Sequence, residues 1–70
     1  MSAQAGIDVA AAKKRRARYV QSYVSRQLDA LGAAGQSERV RDGLMLEARM
    51  KWGHLHPAEQ RAIWAEMGRA

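Results

Sequence analysis

The chain has 70 residues, of which 47% are hydrophobic, no cysteine, and a formal net charge of +5. That length allows one small domain, which buries only roughly 60% of the surface of its unfolded chain, and the missing cysteine excludes disulfides and thiolate metal sites as reinforcement. All of the net charge lies at one end: residues 1–26 hold six cations and one acid, whereas residues 27–70 hold six of each, an asymmetry that suits a basic patch meeting a polyanion.

The opening MSAQAGIDVAAA lacks the charged-then-apolar order of a secretory signal. No apolar run approaches the roughly 18 residues of a membrane span, so a cytoplasmic location is expected. Arginine outnumbers lysine nine to three, a usage that accords with GC-rich coding in a bacterium or phage. Residues 1–8 show no periodicity and read as a flexible N-terminus. Residues 9–70 read as a single three-helix domain.

The first helix is predicted over residues 9–31. Ala10, Ala11, Ala12, Ala17 and the neighbouring Lys and Arg residues are strong helix formers. Asp8 suits the N-cap, where a carboxylate accepts a backbone N–H. Ala17, Val20, Val24, Leu28 and Leu31 recur at steps of three or four and make one apolar stripe, with Tyr19 and Tyr23 beside it. Gly32 suits the left-handed residue that follows a helix end, and the stretch from Gly32 to Gln36 reads as a loop.

The second helix is predicted over residues 37–53, with Ser37 as its cap. Val40, Leu44, Ala48, Trp52 and Leu55 form its stripe, and Met45 flanks it. Gly43 costs roughly 1 kcal/mol inside a helix, and Asp42-Gly43 is also a tight-turn dipeptide. The residues before it, Glu38-Arg39-Val40-Arg41, offer one apolar side chain and cannot supply a strand face, which favours the helix and leaves a turn or kink as the alternative. Residues 53–56 connect to a third helix over 57–68. There Pro57 suits the first helical position, Glu59 complements the helix dipole, and Ile63, Trp64 and Met67 supply the apolar side.

Five cations in the six positions 13–18 cannot share one helix face. Such a run would carry charge into a core, so the N-terminal half of the first helix is expected to project from the body. A projecting cationic helix suits phosphate contact, where each neutralised phosphate releases counterions. The candidate binding residues are Lys13, Lys14, Arg15, Arg16, Arg18, Tyr19, Ser22 and Arg26. Of these, Arg15, Tyr19, Ser22 and Arg26 line one face and offer cations, a ring and a hydroxyl to a nucleic-acid backbone. The plainer alternative is a solvated face. A membrane-surface helix would need large apolar residues opposite the charge, and alanines stand among these cations.

Catalytic chemistry finds no foothold. His54 and His56 make an incomplete metal site with no third ligand at a telling spacing. Carboxylates are scattered singly, and Ser22, Ser25 and Ser37 lie in no nucleophile motif. No enzyme activity and no cofactor are expected. Trp52 and Trp64 each lie on an apolar stripe and read as core anchors, with base stacking as the alternative.

The stretch KWGHLHPAEQRAIWAEM resembles the junction between the second and third helices of an HMG box. The resemblance runs through Trp52, Leu55, His56-Pro57, Glu59 and Trp64, and Tyr19, Tyr23 and Val24 extend it into the first helix after a basic lead-in. It covers roughly residues 13–67, with its specific part between Trp52 and Trp64. The chain departs from the family pattern in that Trp64 stands one position late and Gly43 interrupts the second helix. The resemblance implies an L-shaped trio of helices that binds the DNA minor groove and bends it, with an apolar wedge near Tyr23 or Val24.

The sequence thus predicts an all-α protein with a long basic first helix. Its expected function is to bind nucleic acid, duplex DNA foremost, through phosphate contacts with low base specificity, as a small regulator or accessory factor. The alternative is a small adaptor or inhibitor that docks a helix on an acidic surface of a larger protein. A homodimer suits either reading, because Leu44, Met45, Leu46 and Met50 exceed what one thin stripe buries.

Overall fold

Three α-helices make up nearly all of the computed structural model, which describes residues 6–68: α1 (Val9–Leu31), α2 (Glu38–Leu55) and α3 (Pro57–Met67). The flexibility expected of residues 1–5 lies outside the described residues. Each helix starts within a residue of its predicted position. Asp8 caps α1 by accepting the Ala11 N–H at 3.1 Å, and Pro57 occupies the first turn of α3. Ser37 has the extended backbone of an N-cap before α2, but its hydroxyl makes no capping bond.

Two local expectations change. The Gly32–Gln36 segment is a short 3-10 helix and not an open loop. Gly32 enters it at φ 60°, ψ −129°, a conformation that shares the positive φ of a left-handed cap but not its ψ, and that a residue with a Cβ adopts only with strain. Asp42-Gly43 lies inside α2, as the weak strand character of its neighbours predicts. The helix runs past its predicted end to Leu55, so His56 alone separates it from α3, its N–H returning to the Trp52 carbonyl at 2.9 Å.

So short a connection forces α3 to double back sharply. α1 and α2 form an antiparallel hairpin, since Trp52 near the end of α2 meets Ala12 near the start of α1. α3 then closes on the open end of that hairpin, where Ile63 joins the same cluster and Val9 and Tyr19 pack around it. Alanines lie at the close approaches: Ala12, Ala48 and Ala62 are at most 1% exposed. Gly53 plays a related part, because a Cβ there would meet the Gln60 side chain of α3 at 3.3 Å.

The body measures 51 × 20 × 17 Å with a radius of gyration of 14.3 Å, well above the roughly 11 Å of a compact chain this long. The elongation follows from where the core sits. Trp52 and Ile63, the largest fully buried side chains, lie at the three-helix end. Toward the other end the hairpin has two layers only, and Val24, Leu28, Val40 and Leu44 are half-buried.

The stripes read from sequence therefore hold in their middle and fail at their ends. Val20, Ala48 and Trp52 are buried, whereas Ala17, Leu31 and Leu55 are exposed. The larger correction is Trp64, which is 60% exposed. α3 turns Ala62 and Ile63 inward, and successive residues point about 100° apart on a helix, so the next position already faces away from the core.

Candidate nucleic-acid interface

The basic run does not project. α3 lies across it, with Ala12 fully buried beneath. Lys13 Nζ donates to Glu66 Oε1 at 3.2 Å, and the Arg15 guanidinium donates to Glu59 Oε1. Lys13 and Arg15 point about 200° apart and so straddle the Ala12 face, gripping α3 from both sides. A helix can lie on a stretch so rich in cations because alanine supplies the contact floor, the acids of α3 meet the flanking charges, and long side chains keep their ends in water.

The candidate residues consequently divide around α1. Arg15, Tyr19, Ser22 and Arg26 do share one, as their spacing predicts, but it is largely engaged by the protein itself. Arg15 holds Glu59. Tyr19 packs against the core and stacks on Tyr23 at 6.2 Å. Arg26 Nε donates to the Ser22 carbonyl of its own helix at 3.4 Å. Tyr23 lies beneath Lys51, whose Nζ is 5.4 Å from the ring centre.

The other four, Lys13, Lys14, Arg16 and Arg18, are spread around the rest of the helix, Arg16 and Arg18 pointing about 200° apart. Lys13 and Arg16 line a groove between α1 and α2 that also takes in Gln21, Ser25, Arg41 and Arg49. Lys14 and Arg18 are exposed and precede Gln21 and Ser25 by seven residues, two helical turns, so they lie toward that margin of the groove. Val20, Val24 and Met45 form part of its floor. Among the described residues, no carboxylate lies within ion-pair distance of Arg16, Arg41 or Arg49. The groove thus gathers cations from two segments separated by more than twenty residues.

In the sequence, interleaved acids obscure Arg41 and Arg49 as groove residues. The signal was present: Arg41, Met45 and Arg49 recur at four-residue steps and share one face of α2, whereas Glu47 points elsewhere. The described residues contain no group of three or more His, Cys, Asp or Glu arranged to hold a metal ion, and no helix among them is long and apolar enough to cross a membrane. No protein-family model, curated protein or solved structure matches the chain.

Proposed function

We propose that the protein binds the backbone of duplex nucleic acid, DNA foremost, along the α1–α2 groove, as a small regulator or accessory factor. The observation that carries the reading is the convergence of Arg16, Arg41 and Arg49 on one groove, with Lys14 and Arg18 at its margin and no acid of the described residues paired with the three arginines. Cations held on rigid helices meet phosphates without a backbone-ordering cost, leaving that of their side chains, and guanidinium forks suit phosphate oxygens. Phosphate contacts position a protein without reading sequence, so base specificity is low.

Titration of labelled random duplex at several salt concentrations tests the reading. Five phosphate contacts, from Lys14, Arg16, Arg18, Arg41 and Arg49, give a slope of log affinity against log salt near −4.5, from about −0.9 per contact. Replacing Arg41 and Arg49 with Gln should flatten the slope by about 1.8. Arg26→Gln, on the opposite face, should leave it unchanged. Absence of binding at low salt by folded protein would overturn the proposal, as would a slope indifferent to Arg41 and Arg49.

A further inference from the structure

A second groove runs between α2 and α3, and its character differs from the first. Leu46 and Met50 of α2 and Trp64 and Met67 of α3 line it, and all four are 58% to 60% exposed. These are large apolar side chains, yet they stand in solvent on adjoining helices. Contiguous exposed apolar surface with a polar rim marks an interaction site. Trp, Met and Arg are also the residues enriched where proteins meet.

The rim is cationic. Arg16, Arg49 and Arg61 border the groove, and no carboxylate of the described residues is within ion-pair distance of any of them. From Leu46 to His54 the α2 wall is about 12 Å long and from Pro57 to Met67 the α3 wall is about 15 Å, at 1.5 Å per residue. That matches two to three turns of a helix laid in the groove. We propose that the α2–α3 groove docks an acidic amphipathic helix of another protein, with its apolar side on Trp64, Met50 and Leu46 and its carboxylates on the three arginines.

Two other occupants fit less well. A second copy in a two-fold contact presents the same patch to itself, so an arginine rim would face an arginine rim. A bilayer is flat at this scale, whereas the surface is concave between two helices. The flexible thioethers of Met50 and Met67 let the floor adjust to the side chains of a partner helix.

Tryptophan emission reads the docking directly. Trp52 is 1% exposed and Trp64 is 60% exposed, so a bound helix should blue-shift Trp64 and leave Trp52 unchanged. The probes are three model peptides of equal length with Leu on one face and Glu, Gln or Lys on the other. The Glu peptide should bind and blue-shift the emission, the Gln peptide at least about tenfold more weakly, and the Lys peptide not at all. Trp64→Phe should abolish the shift, and Leu46→Gln should weaken binding of the Glu peptide at least about tenfold with the unfolding midpoint little changed.

The proposal fails if the Glu peptide does not bind, if the Gln peptide binds equally well, or if Leu46→Gln has no effect. It also fails if sedimentation shows a dimer that Leu46→Gln dissociates, because a second copy would then occupy the groove. A shift given by anionic phosphatidylglycerol vesicles but not by the Glu peptide would assign the face to membrane instead. Arg16 and Arg49 border both grooves, but the peptide titrations contain no DNA and the Leu46 and Trp64 variants leave the arginines in place, so failure here is distinguishable from failure of the duplex titration.

Discussion

Trp52 and Trp64 are the two largest side chains of the protein, and they have opposite fates. Trp52 is 1% exposed at the junction of all three helices, with Ala12 and Ile63 around it and the His56 ring 5.1 Å away. Trp64 is 60% exposed and lines a groove beside Arg61. Both sit on runs of apolar residues, so residue type does not separate them. What separates them is the number of neighbouring helices each can face. At the crowded end each helix touches the other two, and Trp52 of α2 packs with Ala12 of α1 and Ile63 of α3 at once. On α3, Ala62 and Ile63 take the buried positions, and Trp64 points away from that junction.

The largest effect expected from this contrast is that of Trp52→Ala. Truncating a fully buried aromatic costs about 3–5 kcal/mol. A domain of this size has a total stability of roughly 4–10 kcal/mol. The variant should lose most of its helical circular dichroism or melt at a far lower temperature. Cooperative unfolding near the wild-type midpoint would show that Trp52 is not the centre of the fold and would remove one half of the comparison.

Ala12→Leu probes the same junction from α1. Ala12 is fully buried where α3 crosses the basic run, and added methylenes in a close-packed site typically cost about 1–3 kcal/mol. Chemical denaturation should register the loss. A neutral or stabilising outcome would mean that α3 does not close on α1, and the N-terminal half of α1 would then project as its charge alone suggests.

That contrast between expectation and structure marks where the sequence was legible. The three helices, the Asp8 cap and the Pro57 start followed from propensity and capping chemistry. The helical course through Gly43 followed from the weak strand character of its neighbours. Val20, Ala48 and Trp52 were readable as inward positions from four-residue spacing. Trp64 was not, because spacing defines a face without saying whether another element covers it. The basic run was misplaced for a related reason. Charge density argued for projection, but Lys13 and Arg15 find Glu66 and Glu59, which lie more than forty residues away in sequence, and Ala12 between them needs no polar partner. Two of the eight candidate residues, Lys13 and Arg16, line the α1–α2 groove, with Lys14 and Arg18 nearer its margin. The Arg41 and Arg49 half of that groove came into view only when α2 was placed beside α1.

A smaller effect belongs to the grip of α3 on that run. The Arg15 side chain is 51% exposed and that of Glu59 22%, so water screens the pair and its worth falls in the range of exposed ion pairs, about 0.2–1 kcal/mol. A double-mutant cycle with Arg15→Gln and Glu59→Gln isolates that coupling from the desolvation of either group. The coupling should shrink as salt rises. Zero coupling at low salt would show that the apolar contact at Ala12 holds α3 unaided.

The smallest effect on stability should come from Trp64→Ala, and it is the sharpest test of the contrast. More than half of this side chain is in water, so its removal forfeits only part of the burial that makes Trp52 costly. Alanine is also a better helix former than tryptophan, and that gain offsets some of the lost contact with the α2 side of the groove. The net change should lie within about 0.5 kcal/mol, the usual range for surface positions. The variant leaves Trp52 as the sole tryptophan, so its emission reports unfolding of the core without a contribution from the groove. Guanidinium titration followed at that emission should superimpose on the wild-type transition in midpoint and slope. A loss approaching that of Trp52→Ala would place Trp64 in the core in solution, remove the open groove, and leave the arginines around it without an apolar floor to frame.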